Sequence, residues 1–260
     1  MPRGCGAFFF EEGKPLIRFV DEELRAGELR RLCRGTAFGC KVAAVEVSYG
    51  FRRNFARFWT DGSAAYCQLD GALTLAGSPE DPEEAAAFVR MLGAAAIFGP
   101  PEFLQDLGLA PALSGPVLAK PLPSRAPLSQ GSVDLRAAYW LLAEAGLAGP
   151  WEAFYLDLSH RLRHGAARAL VMEAEGRPVG CAAAGAVTEE AAVLSGLAVE
   201  EAFRRQGLGT ALVRGIEAML PGRTLYALRK EGENEAFYAR LGFQEAGRWA
   251  QADGSAERRG

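Results

Sequence analysis

Histidine is almost missing from this chain. His160 and His164 are the only two in 260 residues, which leaves a multi-histidine metal centre without ligands. Cysteine is scarce and shows no pairing pattern. Cys5, Cys33, Cys40, Cys67 and Cys181 are odd in number and none stands in C-x-x-C spacing. That argues against a disulfide framework or a zinc site and for reduced thiols in a cytosolic protein. No sign of charge prevails, since 29 Lys and Arg face 32 Asp and Glu for a net −3. Neither half is a basic module built to grip phosphate backbones, so nucleic acid is not an expected partner. Long apolar runs are missing too. No stretch of ~18 uncharged apolar residues occurs, and Arg90 and Pro100 bound the nearest candidate. The opening MPRGCGAFFFEEGK lacks the extended apolar region of a signal peptide. These absences predict a soluble, cytoplasmic protein without a membrane partner or a metal.

Glycine is what the chain has in surplus, 31 of 260 residues against a usual ~7%. The excess needs local explanations. The stretch PLPSRAPLSQGS at 121–132 is rich in Pro and Ser and divides the chain near its middle, predicting domains at 1–122 and 123–260. Beyond it, Asp134 is placed to cap a helix over Leu135–Glu144, and Pro150 opens another that ends at Gly165. Three strand-like runs begin at Ala169, Pro178 and Ala191, joined by EGR and TEE turns, which predicts an antiparallel meander. An amphipathic helix through Leu220 follows, with Leu208, Ala211, Leu212, Ile216 and Met219 on its apolar face and Arg214 and Glu217 outside. TLYAL is a short strand, Asn234 sits where it would cap a helix ending at Gly242, and FQEAGRWAQ is a last strand. The polar tail from Gln251 to Gly260 is expected to fray.

The first half predicts a hairpin over GAFFFEEGKPLIRFV, a helix opened by Asp21, and three short strands with DGS and LDG turns. A helix capped by Asp81, the strand AIF, a short helix PEFLQDLGL and the strand GPVLA complete it. From the meander onward the element order matches that of the second half. PEFLQDLGL beside NEAFYARLGF is the clearest sequence trace of this. A diverged internal repeat and two α+β halves sharing common units both fit that pattern.

The sharpest local element is Arg204-Arg205-Gln206-Gly207-Leu208-Gly209-Thr210, between a strand ending at Val199 and an amphipathic helix. Free N–H groups at such a helix start, with glycines permitting close approach, make an anion site for a phosphate or pyrophosphate. Arg204 and Arg205 add fixed positive charge. The Gly-Lys-Ser/Thr ending of a phosphate loop is missing, and so is the third glycine of a dinucleotide fingerprint, where Leu212 stands instead.

The segment LAVEEAFRRQGLGTALV resembles the acetyl-CoA-binding segment of the GNAT superfamily of N-acetyltransferases. Arg204, Gly207 and Gly209 fill its signature, the triplet Leu197-Ala198-Val199 precedes it, and AFYARLGF resembles the superfamily's second motif through Tyr238 and the Gly242-Phe243 pair. The resemblance implies an α+β fold around a mixed sheet, GNAT-like over 123–260, with 1–122 a smaller or degenerate GNAT-like domain. It further implies that acetyl-CoA is the cosubstrate. The backbone of Leu197, Ala198 and Val199 would line its pantetheine arm. Arg204, Arg205, Gln206, Gly207, Leu208, Gly209 and Thr210 would hold its pyrophosphate, with Asn234 as a further contact. Asn234 stands only four residues before Tyr238, closer than in many relatives, and also reads as a helix cap. The internal glycine Gly196 fits either a bulge where parallel strands splay or simple packing.

The implied reaction is direct attack by a neutral amine on the thioester. Tyr238 matches the superfamily tyrosine that protonates the departing thiolate; by itself it also reads as a core aromatic. No general base stands out, because Glu173, Glu189, Glu190, Glu231 and Glu233 all read as solvated turn residues. Asp157, His160, Arg161 and His164 share one helix face and could bind a substrate carboxylate or amine, or form an exposed salt-bridged surface. The first half offers acids, GSPEDPEEAAAF, where a phosphate site needs bare amides, so it is expected to cover the acceptor face or to make an oligomer contact. Two functions follow. One is an N-acetyltransferase acting on a small-molecule or peptide amine, as a monomer or homodimer. The other is a non-catalytic acyl-CoA-binding or interaction protein with the same fold.

Overall fold

The computed structural model describes residues 17–21 and 23–254, and within them the chain runs twice through one order of elements. The first pass is α1 (Glu23–Leu32), α2 (Ala37–Tyr49), a meander of β2 (Ala56–Thr60), β3 (Ala64–Leu69) and β4 (Ala72–Gly77), then α3 (Pro82–Leu92), β5 (Ala96–Gly99), α4 (Pro101–Asp106) and β6 (Leu113–Pro121). The second is α5 (Leu135–Glu144), α6 (Trp151–Arg163), a meander of β7 (Arg168–Ala174), β8 (Arg177–Val187) and β9 (Ala191–Val199), then α7 (Leu208–Met219), β10 (Thr224–Leu228), α8 (Glu235–Arg240) and β11 (Gln244–Asp253). The repeat thus extends upstream of the meander to two helices in each half. A two-residue strand, β1 (Arg18–Phe19), pairs antiparallel with β2. The rest of the hairpin expected from residue 7 lies outside the described residues.

Local chemistry accounts for most boundaries. Asp81 accepts from the amides of Glu83 and Glu84, with Pro82 in the first turn of α3, and Asp134 accepts from those of Arg136 and Ala137 at α5. Asn234 occupies the position before α8 but makes no side-chain cap; it sits in left-handed backbone at φ 55°. The helix-cap reading of Asn234 is therefore corrected. The tail expected to fray from Gln251 is paired at its start, since Gln251, Ala252 and Asp253 belong to β11 and pair with β5; residues 255–260 lie outside the described residues. The helix α2 has no counterpart in the sequence-based expectation. AFGCKVAAVEVSY carries no polar face to reveal its period, and nine of its thirteen residues are buried.

All eleven strands form one sheet in the order β1-β2-β3-β4-β5-β11-β6-β10-β9-β8-β7. Each half contributes one parallel junction, β4 with β5 and β9 with β10. At the centre the halves exchange their last strands. β6, from the first half, pairs with β10 of the second; β11, from the second, pairs with β5 of the first; and β6 and β11 pair with each other. The stretch 122–134 lies on the second half rather than hanging free. Leu122 donates to the Arg223 carbonyl and Leu128 to that of Ala218. The Gln130 side chain both donates to and accepts from the backbone of Ala169 on β7, so it covers part of the sheet's edge.

Strands far apart in the sheet pack on the same helix. Val42 and Val45 of α2 share a core with Phe58, Ala65 and Cys67 of the first meander and with Ala186, Ala191, Val193 and Tyr226 of the second half. The sheet therefore curls around α2, which is why that helix is mostly apolar and mostly buried. On the opposite face, Leu212, Val213 and Ile216 of α7 pack on Ala192, Leu194, Leu225 and Ala227. Glu217, placed outside by its period, is instead buried at 4% exposure and pairs at 2.5 Å with Lys120 of the exchanged strand β6.

Candidate active site

The glycine loop folds into a helix start that no described residue caps. Gly207 precedes α7 at φ 87°, without a side-chain cap, and a Cβ added there would meet open space. Arg205 is also left-handed, at φ 61°. No described protein group accepts from the amides of Leu208, Gly209 or Thr210, so three donors and the positive end of the helix face outward together. They border a cavity of about 480 Å³ lined by Leu197, Val199, Arg204, Arg205, Gly207, Gly209, Thr210, Asn234, Phe237, Tyr238 and Arg240. Arg204 folds back so that its Nε donates to the Val199 carbonyl at 3.0 Å, tying the loop to the strand as well as adding charge.

The strand beside this cavity is open along one edge. β9 pairs with β10 from Ala191 to Leu194, and the parallel ladder stops there while β9 continues to Val199. Its pairing with β8 is irregular at the same place, Ala183 facing Gly196 and Ala184 facing Leu194. Ser195 is thus displaced from the ladder as a bulge, and its hydroxyl accepts from the Gly185 amide and donates to the Val193 carbonyl. Gly196 next to it makes room for α5, where a Cβ would come within 2.8 Å of Leu142 Cδ2. Both readings of Gly196 therefore hold, bulge and packing.

Tyr238 is half-buried in this cavity, edge-on to Phe237 and Phe243, and its hydroxyl bonds to no described protein group. Burial raises its pKa above the ordinary phenol value, and the Arg229 guanidinium opposes part of that rise. The side chain stays a proton donor at neutral pH. Arg229, 8% exposed, is fixed through Nη1 by the carbonyls of Lys230 and Glu233. Its Nε has no partner among the described residues.

A second cavity, about 460 Å³, lies on the concave side of the sheet and draws its walls from both halves. Ala183, Gly185, Ser195 and Gly196 form one side, Cys67, Leu69, Ala72 and Thr74 another, with Lys41 and Val45 of α2 and residues of α5 and α6 closing it. Successive residues of β9 therefore serve different cavities, Gly196 this one and Leu197 the first. The face of α6 expected to be exposed lies partly here and partly against α2. Arg161, 6% exposed, donates to Asp157 Oδ1 at 2.7 Å and to the Gly185 carbonyl at 3.1 Å. Tyr49 donates to the same Asp157 oxygen at 2.6 Å, and His160 stacks on Tyr49 and bonds the Ser48 carbonyl. Cys67 is no nucleophile, because burial drives its thiol pKa far up; Cys33, Cys40 and Cys181 are each pushed up to about 12 in the same way.

The structure brings together Leu197, Val199, Arg204, Arg205, Gly207, Gly209, Thr210, Asn234 and Tyr238. It does not bring in Ala198, whose side chain packs on Ala138 and Leu142 across the sheet. Gln206 turns away to the Ala202 carbonyl, and Leu208 contributes only its amide. Phe237 and Arg240 line the cavity without having been expected; both stand in the same short motif as Tyr238. None of Glu173, Glu189, Glu190, Glu231 or Glu233 lines either cavity. All five are exposed. Glu190 pairs with Arg34 and Glu231 with Arg248. Among the described residues no three His, Cys, Asp or Glu gather to hold a metal ion, and no helix is long and apolar enough to cross a membrane.

Residues 165–245 match the family described as the acetyltransferase (GNAT) domain. Solved structures share the fold at low identity. A GCN5-related N-acetyltransferase from Sphaerobacter thermophilus is 16% identical with a TM-score of 0.58, over 90% of this chain and 94% of that one. Another from Kribbella flavida is 17% identical at 0.56, over 82% and 95%. A tandem GNAT protein from the clavulanic acid biosynthesis pathway is 15% identical at 0.52, over 92% and 98%. No curated protein matches the sequence. Residues 165–245 are thus similar to a GNAT acetyltransferase domain, and the chain as a whole shares the fold of these solved GNAT structures, the tandem protein included.

Proposed function

We propose that this protein is an acetyl-CoA-dependent N-acetyltransferase in which a primary amine of a small molecule or peptide attacks the thioester directly. One observation carries the reading. The uncapped, glycine-led start of α7 opens into the same cavity as Tyr238 and the free edge of β9. The residues present suit acetyl-CoA. The amides of Leu208, Gly209 and Thr210 and the Arg205 guanidinium offer donors and charge to a pyrophosphate. The β9 backbone beyond Leu194, unpaired toward β10, suits an extended amide-bearing arm. When bound, acetyl-CoA supplies a carbonyl already activated as a thioester. A backbone N–H at Leu197 or Val199 would stabilise charge developing on that carbonyl oxygen. Tyr238 would donate its phenolic proton, or a strong hydrogen bond, to the departing sulfur. We place the acceptor in the second cavity, which meets β9 at Ser195 and Gly196. The first half then serves as its wall, in a cytoplasmic monomer or homodimer.

The test is a calorimetric titration with acetyl-CoA followed by thiol release across a panel of amines. Binding with amine-dependent release is expected. Binding with no release across the panel would favour the non-catalytic acyl-CoA binder, and failure to bind would remove both.

A further inference from the structure

The second cavity holds one lysine with no ion pair of its own among the described residues. Lys41, on α2, is half-buried among mostly apolar walls and makes neither an ion pair nor a hydrogen bond with any described residue. Its amino group lies over the ring of Phe98, 4.6 Å from the centroid. The other charged groups around the cavity are accounted for. Arg161 and Asp157 on α6 neutralise one another, and Asp157 Oδ1 is further engaged by Tyr49. Asp70, on the turn after β3, is exposed. The neighbouring Cys40 and Cys67 are neutral thiols. Burial, and then Arg161, lower the pKa of Lys41, and Asp157, itself bound to Arg161, opposes only part of that fall.

An unpaired ammonium in an apolar cavity is a poor arrangement for an empty site and a good one for a site completed by an anion. Resting on the acetyltransferase reading above, we infer that the acceptor is an amine that also carries a carboxylate on an apolar body, and that Lys41 receives the carboxylate. A carboxylate fits better than a phosphate, because one lysine matches one charge and Arg161 is already committed to Asp157 and the Gly185 carbonyl. The amine end is left to reach β9 at Gly196. The first half of the chain thereby supplies substrate selection to a reaction centred in the second.

The test uses the full chain with two matched pairs, phenylalanine with phenethylamine and 6-aminohexanoate with hexylamine, each assayed by thiol release with wild type, Lys41→Met and Lys41→Arg. For at least one pair, wild type should prefer the carboxylated amine by about tenfold to a hundredfold in kcat/KM. Lys41→Met should abolish that preference through KM while leaving the plain amine within about twofold, and Lys41→Arg should restore part of it. No preference in wild type, or a preference that survives Lys41→Met, overturns the inference. A Lys41→Met protein that melts as wild type does excludes misfolding as the cause. If no amine is turned over, calorimetry with the N-acetylated forms of the same compounds, in the presence of CoA, decides independently. Lys41-dependent binding of only the carboxylated forms supports the anchor while the catalytic reading fails. Equal binding, or none, removes the anchor.

Discussion

The two halves of this chain begin their third helix in opposite ways. In the second half, α7 starts at a left-handed glycine with free amides and two arginines beside it. In the first, α3 starts at Asp81, whose carboxylate takes the amides of Glu83 and Glu84, and the Glu80 amide goes to Asp61. The same fold thus makes an anion site in one copy and fills it with its own carboxylates in the other. The contrast continues in the next short helix. Leu109 donates to the Leu104 carbonyl as Phe243 does to that of Tyr238, so Leu104 stands where the other half has its phenol. Leu104 and Leu75 are fully buried, and that side of the first half is sealed where the second is open. Which copy can hold a cosubstrate is decided by a handful of side chains on a shared backbone plan.

The largest way to break the comparison is to separate the copies. A fragment of residues 123–260 lacks β6, leaving β10 and β11 without the strand that joins them. It should show no cooperative thermal transition alone and regain one when co-expressed with residues 1–122. Next in size, Gly207→Glu puts a side chain and a negative charge at a left-handed position facing the anion site. Acetyl-CoA affinity should fall by more than about a hundredfold by calorimetry, with the melting temperature lowered by only a few degrees through backbone strain. Tyr238→Phe should lower kcat by about tenfold to a hundredfold while Kd for acetyl-CoA stays the same; unchanged kcat would remove Tyr238 as the donor. Because burial holds its phenol above the ordinary value, wild-type activity should not decline through loss of that proton until above about pH 10. The smallest effect sharpens the contrast from the other side. Asp81→Ala should cost about 1 kcal/mol, a few degrees in melting temperature, and leave acetyl-CoA affinity untouched.

What could be read from the sequence was local. The glycine loop, the Tyr238 motif, both meanders and the caps Asp81 and Asp134 each depend on residues a few places apart, so their chemistry shows in a short window. What escaped depends on partners far along the chain. Glu217 looks solvent-facing by helical period because its partner Lys120 lies 97 residues away. The α6 face looks like a surface until Tyr49 and Ser48 of α2 are set against it. α2 went unseen because a helix wrapped by sheet on both sides has no polar stripe to announce it. Lys41 carries no sequence signal at all, since only the cavity around it makes a lone lysine unusual.

The exchange of end strands also orders events in time. The slot between β5 and β6 is filled by β11, a strand synthesised only after the whole of the second half's meander and helices. Until then the early half carries two open sheet edges and no way to close them from its own sequence. Such long-range closure is slow and leaves the nascent chain exposed to pairing with other chains. Closure of the first half therefore waits for the second half to be made, and the protein's yield in the cell should depend on what shields those edges in the interval.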